Sequence, residues 1–173
     1  MTQAPDLAIP DDIERLAHAV LAAACGRDLR LATAESCTGG LLASLLTDIP
    51  GVSHAFECGF VTYSDAAKTG MLGVSPEVLD NDGAVSRPAA IAMAEGAIAR
   101  SGADLAVAIT GFADAGPTGT PGLVHFACAR RDGPTRHREE CFGAVGRAGV
   151  RLSAVRVALG LMSDALADLS RAA

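Results

Sequence analysis

The apolar positions of this chain alternate between two spacings, and the alternation predicts helices interleaved with short strands. Ile13, Leu16, Ala17, Val20 and Leu21 recur every three or four residues after Pro10-Asp11-Asp12, whose acids suit a helix start, and Gly26 closes the segment. Leu29 to Ala34 is a short apolar run between polar residues, the pattern of a buried strand. Phe56 to Tyr63, aromatic and β-branched, and Leu105 to Thr110 read the same way. Leu41 to Leu46 is helical in character and is broken at Pro50-Gly51, while Ser64-Asp65, Ser75-Pro76 and Ser86-Arg87-Pro88 each put a capping side chain ahead of a further helix. Leu123 to Ala129 and His137 to Phe142 read as two strands joined at Asp132-Gly133-Pro134, and Arg147 to Leu169 as one long helix. Gly111 to Gly122 carries four glycines and two prolines, too many for a regular element. With no internal repeat and no linker, residues 1–173 read as one α/β domain with a covered sheet.

Composition narrows the function classes. Half of the 173 residues are apolar and a fifth are charged, which is a globular composition. A net charge of −6, 3% aromatic residues and no tryptophan argue against a nucleic-acid partner, which needs clustered cations and stacking rings. The five cysteines (Cys25, Cys37, Cys58, Cys128, Cys141) include no CxxC pair and follow no secretory segment. Reduced thiols in a cytoplasm are therefore expected. His18, His54, His125 and His137 lack metal-ligand spacing, so no metal is expected. No apolar run reaches the ~20 residues of a membrane span, so no membrane partner is expected either.

Three segments carry candidate chemistry. Thr33 to Gly40, TAESCTGG, reads as a strand end, a polar pivot and two glycines opening a helix. Ser36 would stand near a helix N-terminus, where free N–H groups favour an anion or a polarised hydroxyl; a simple capped helix explains the pattern equally well. Cys37 competes for the nucleophile's role, although a packed, inert thiol is the simpler reading. Lys68 is the only lysine beside 13 arginines, and Tyr63 is the only tyrosine, five residues away. A desolvated lysine can lose its proton where arginine cannot, and a neutral amine can serve a serine as general base. A compositional bias toward arginine accounts for a lone lysine as well. The Gly111–Gly122 loop follows a strand, where α/β proteins open ligand crevices, but it has no Gly-Lys-Ser/Thr and so no NTPase phosphate loop. Arg147 and Arg151 open the last helix within reach of a phosphate, or simply face solvent.

Together these segments resemble the CinA C-terminal domain family, the nicotinamide mononucleotide (NMN) deamidases. The similarity rests on TAESCTGGLLASLLTDIPGVSHAFECGFVTYSDAAKTGMLGV (Thr33 to Val74), GAVS (Gly83 to Ser86) and LAVAITG (Leu105 to Gly111), with weaker matches at Gly122 to Ala129 and Glu140 to Phe142. The resemblance implies a three-layer α/β/α sandwich that forms a homodimer and hydrolyses the carboxamide of NMN, a small-molecule nucleotide, without a cofactor. It makes Ser36 the nucleophile and Lys68 with Tyr63 its proton acceptor. Main-chain N–H groups at the start of the Thr38–Gly40 helix become the oxyanion donors, and Glu35, Thr38, Gly39, Gly40, Thr110, Gly111 and Arg147 the substrate contacts. Phe112 to Gly122 departs from the family's IAGPxGG loop, being shorter, carrying an inserted acid and lacking its lysine. Val145-Gly146-Arg147 keeps the arginine of a Gly-Asp-Arg motif and loses the acid. These departures leave open the same chemistry on another amide, or a non-catalytic nucleotide-binding module. The chain also reads as a stand-alone version, without the N-terminal domain of many relatives.

Overall fold

The computed structural model describes residues 8–114 and 120–171, the side chains of Ser170 and Arg171 excepted; part of the Gly/Pro-rich loop, with Gly116, Pro117 and Gly119, lies outside them. The elements are α1 (Asp11–Cys25), β1 (Leu31–Glu35), α2 (Leu41–Thr47), β2 (Phe56–Val61), α3 (Asp65–Leu72), α4 (Pro76–Asp82), α5 (Arg87–Ala99), β3 (Leu105–Gly111), β4 (Leu123–Arg130), β5 (Arg136–Cys141) and α6 (Gly146–Arg171). Ser64, Ser75 and Ser86 accept from the N–H three residues on, at Ala67, Val78 and Ala89, so the three predicted caps form. A single turn of 3-10 helix at Ser53–Ala55 was not anticipated, since three residues carry no periodic signal.

The five strands form one mixed sheet in the order β2-β1-β3-β4-β5, with β1 parallel to both β2 and β3 and the other pairs antiparallel. Side chains alternate between its faces. Leu31, Leu105, Val107, Ile109, Val124, Phe126 and Cys128 pack under α1, α2 and α6. Ala32, Ala34, Ala106, Ala108, Ala127 and Ala129 meet Leu72, Val74 and the Ala-rich side of α5. The domain is thus a three-layer α/β/α sandwich with one bulky and one thin apolar interface. Methyl-sized side chains let α5 approach closely, and its Gly96 lies so near the end of α3 that an added Cβ would sit 2.0 Å from the carbonyl oxygen of Leu72.

Because β1, β2 and β3 run parallel, their carboxyl ends share one edge, and the register pairs Glu35 with Val61 and with Ile109. The chain leaves β1 for β2 on one side and returns to β3 on the other. A crevice opens at such a reversal. No described helix is long and apolar enough to cross a membrane.

The glycines of α5 and α6 give opposite expectations. Gly96→Ala destabilises by about 1–3 kcal/mol through overpacking against the Leu72 carbonyl. Gly160→Ala in α6, where nothing lies within 4 Å of the new Cβ, stabilises by about 0.5–1 kcal/mol. Urea midpoints at constant m-value test both signs.

Candidate active site

The turn that leaves β1 is built around two left-handed glycines, Gly39 at φ +60° and Gly40 at φ +87°, which only glycine adopts without strain. They fold the chain back so that the start of α2 lies over the last residue of the strand. The Leu42 N–H donates to Glu35 Oε2 (3.1 Å) and the Ala43 N–H to Oε1 (2.8 Å). Glu35 is fully buried there as the carboxylate cap of α2, a placement favoured by the helix dipole. This corrects one expectation: Glu35 faces α2 rather than a substrate. The Leu42 and Ala43 N–H groups are spent on it and the Leu41 N–H on the Thr38 carbonyl, so the first turn of α2 offers no donor to an oxyanion.

Ser36 follows, its main-chain N–H donating to the Ile109 carbonyl (2.9 Å), which ties the turn to the end of β3. Its side chain meets Lys68, carried in on the first turns of α3. Lys68 is 1% exposed, and its Nζ donates to Ser36 Oγ (3.2 Å) and to the Thr62 carbonyl (3.0 Å). Both partners are neutral oxygens. Burial therefore holds the amine below the usual lysine value of 10.5, against a weaker upward pull from Asp65 and then Cys37. Cys37 is buried beside them, and loss of solvent pushes its thiol up to about 12. A thiol so firmly protonated is a poor nucleophile, which favours Ser36.

A cleft of about 360 Å³ opens over this pair, small-ligand size, lined by Ser36, Cys37, Tyr63, Asp65, Lys68, Ala84, Val85, the segment 110–114 and Arg147. Its floor is the buried amine and hydroxyl. Its mouth is charged: Arg147 pairs with Asp114, and Asp114 first, with the nearby Tyr63 hydroxyl second, holds the guanidinium protonated. Thr110 Oγ1 donates to the Ala84 carbonyl (2.6 Å), joining β3 to the segment ahead of α5.

Six of the expected site residues, Ser36, Lys68, Tyr63, Thr110, Gly111 and Arg147, thus line one cleft, whereas Glu35, Thr38, Gly39 and Gly40 lie outside its wall. Tyr63, expected on the lysine, is 67% exposed and meets Arg147 instead. Arg151, read as within reach of a phosphate or facing solvent, does neither and spends its guanidinium on the Thr38 carbonyl. Asp65 and the Ala84–Val85 segment were missed as cleft residues, whereas Asp114, the inserted acid of the departing loop, does line it. Asp65 reads as a first-turn helix acid, and Ala84 and Val85 carry no chemical signal. The rings of His125 and His137 meet across β4 and β5 (3.1 Å), a contact set by strand register; among the described residues no group of three or more His, Cys, Asp or Glu is placed to hold a metal.

Residues 13–166 match the family model described as the CinA C-terminal domain. Among curated proteins, the chain is 45% identical over 151 residues to the nicotinamide-nucleotide amidohydrolase PncC of Escherichia coli, covering 86% of this chain and 91% of that protein. It is 56% identical over 125 residues to a CinA-like protein of Akkermansia muciniphila, covering 70% of this chain and 30% of that protein. The chain spans about a third of the length of such longer relatives (30%, 29% and 37% in three of them). The competence/damage inducible protein CihA of Agrobacterium tumefaciens has a similar solved structure, with a TM-score of 0.87 at 47% identity over 92% of this chain and 98% of that one.

Thiol labelling follows from the burial pattern. At pH 8, iodoacetamide modifies exposed Cys141 readily and leaves Cys37 and Cys128, both pushed up to about 12, unmodified in the folded protein. Peptide mass mapping reads the result, and rapid labelling of Cys37 would contradict its placement.

Proposed function

This chain belongs to the CinA C-terminal domain family, and from that premise we propose that it is an amidohydrolase that deamidates nicotinamide mononucleotide to nicotinate mononucleotide and ammonia. The observation that carries the proposal is the buried contact between Lys68 Nζ and Ser36 Oγ at 3.2 Å on the floor of a small-ligand cleft. Similarity to a nicotinamide-nucleotide amidohydrolase over most of both chains supports the choice of substrate.

In this mechanism Lys68 acts as the neutral amine that its burial favours. It keeps one N–H on the Thr62 carbonyl and accepts the Ser36 proton as Oγ attacks the amide carbon. With the first turn of α2 closed by Glu35, the oxyanion falls to the main-chain N–H groups of Cys37 and Thr38, in the turn between nucleophile and helix; such donors contribute several kcal/mol at acyl-transfer sites. The Lys68 ammonium then gives its proton to the leaving nitrogen and ammonia departs. Water, deprotonated by the same amine, releases the acid from Ser36. At the mouth, Arg147 holds the phosphate, assisted by the Tyr63 hydroxyl. On this reading Tyr63 serves the anionic end of the substrate rather than the proton transfer.

A second reading, the same chemistry on a different amide, draws on Asp114. This acid of the departing loop already occupies Arg147, and a ligand phosphate must compete with it.

Ammonia release and product mass from NMN test the proposal. Wild type turns over, and Ser36→Ala falls by about 10³-fold or more, as losses of a nucleophile do. Failure of the folded wild type to act on NMN, with turnover of another carboxamide, would establish the second reading. The pH profile tests the base. Protonated Lys68 cannot accept a proton, so kcat/KM is low in acid and rises with pH through the lowered lysine value, on a limb lying below 10.5. Lys68→Arg abolishes both the activity and the limb.

A further inference from the structure

The hydrogen bonds around Thr38 single out a residue that the cleft itself does not contain. The Thr38 carbonyl oxygen accepts from Arg151 Nη2 (2.7 Å), from Arg151 Nε (3.2 Å) and from the Leu41 N–H (3.3 Å). The N–H of the same peptide unit, that of Gly39, donates back to the Ser36 carbonyl (3.1 Å). One peptide plane is therefore held at both ends, by the nucleophile's own carbonyl on one side and by a guanidinium from α6 on the other. Arg151 Nη2 lies 3.9 Å from where a Gly39 Cβ would stand, so the guanidinium sits beside the left-handed part of the turn.

We infer that Arg151 is a positioning residue of the reaction: it fixes the Ser36–Gly39 turn through the Thr38 carbonyl and thereby sets the direction of the Cys37 and Thr38 N–H groups that receive the oxyanion. The inference rests on the serine-amidohydrolase reading. Arg147, one helical turn earlier, makes the contrast. It is exposed, paired only with side chains, and open to a ligand anion. Arg151 is half-buried, and both of its contacting nitrogens are committed to main chain. A planar fork suits this task, because two donors converging on one oxygen from a rigid plane hold that carbonyl more tightly than a single ammonium donor does. The guanidinium also brings a positive charge directly beside the turn. That sign favours a negative charge developing on the adjacent tetrahedral centre.

The test compares wild type, Arg151→Lys and Arg151→Ala in three ways: thermal stability, steady-state turnover of NMN, and the rate at which a fluorophosphonate phosphonylates Ser36. In the last reaction a Ser36 Oγ–phosphorus bond forms, fluoride leaves and the serine proton passes to the base, so the turn and the nucleophile are probed without NMN. Both variants remain folded. In Arg151→Ala, phosphonylation and kcat fall together by about 10- to 100-fold, the scale of losses from small misplacements of reacting groups. KM stays within about threefold, because the group lost does not touch substrate. Arg151→Lys recovers only part of the loss, and added guanidinium ion partly rescues Arg151→Ala.

Folded variants that phosphonylate at the wild-type rate overturn the inference, as does a loss carried wholly by KM, which would make Arg151 a substrate contact. If Arg151→Ala does not fold, Arg151→Lys with unchanged phosphonylation overturns it equally. A wild type that is phosphonylated at Ser36 but leaves NMN untouched counts against the substrate, while the variant comparison still decides the role of Arg151. A wild type that does neither overturns both.

Discussion

Everything in the cleft depends on one unfavourable act, the removal of a lysine amine from water with no carboxylate to pair with it. Charged lysine pays heavily for such a place, and the relief is to shed the proton. Lys68 has two neutral oxygens as partners, and one of them is the hydroxyl it would deprotonate. The same desolvation that raises the Cys37 thiol to about 12 lowers the lysine, so one dry environment silences the sulfur and prepares the amine. An arginine could not take this position, since its guanidinium keeps its proton under any such burial.

That environment is made by the thin side of the sandwich. The alanine face of the sheet brings α5 close, Gly96 lets the end of α3 close over it, and Lys68 is thereby carried inward on α3. The thick side does a different task. Glu35 reaches across from the last position of β1 to cap α2, and Arg151 reaches down from α6 to the turn between them. Ser36, the nucleophile of the proposed reaction, thus stands on a short turn fixed from strand, helix and neighbouring layer, the rigidity that acyl transfer would require of its oxyanion donors.

Charge is sorted along the cleft. The floor is uncharged or easily made so, and the fixed charges of Asp65, Asp114 and Arg147 stand toward the mouth. A substrate with an amide at one end and an anion at the other matches that order. The pairing of Asp114 with Arg147 belongs to the loop where this chain departs from its family's pattern. An exposed ion pair of this kind is weak enough for a phosphate to displace, so under the proposed function the departure would bear on affinity more than on chemistry.

Much of the fold was legible in the residues themselves. Short apolar or β-branched runs between polar residues, serine caps ahead of helices, and a glycine at a helix end are local signals, and each produced its element within a residue or two. The serine at a strand end, the lone lysine and the lone tyrosine also stood out without a structure, although composition alone explained them as well. What the sequence could not reach were the contacts across 32 residues that join Ser36 to Lys68 and across 113 that join Arg151 to Thr38. It also could not show the closure of the α2 N-terminus by Glu35 or the turning of Tyr63 toward Arg147. Such contacts follow from which strand ends lie side by side and which face each residue takes. Strand register decides that, and a slip of one residue would send every side chain to the opposite layer.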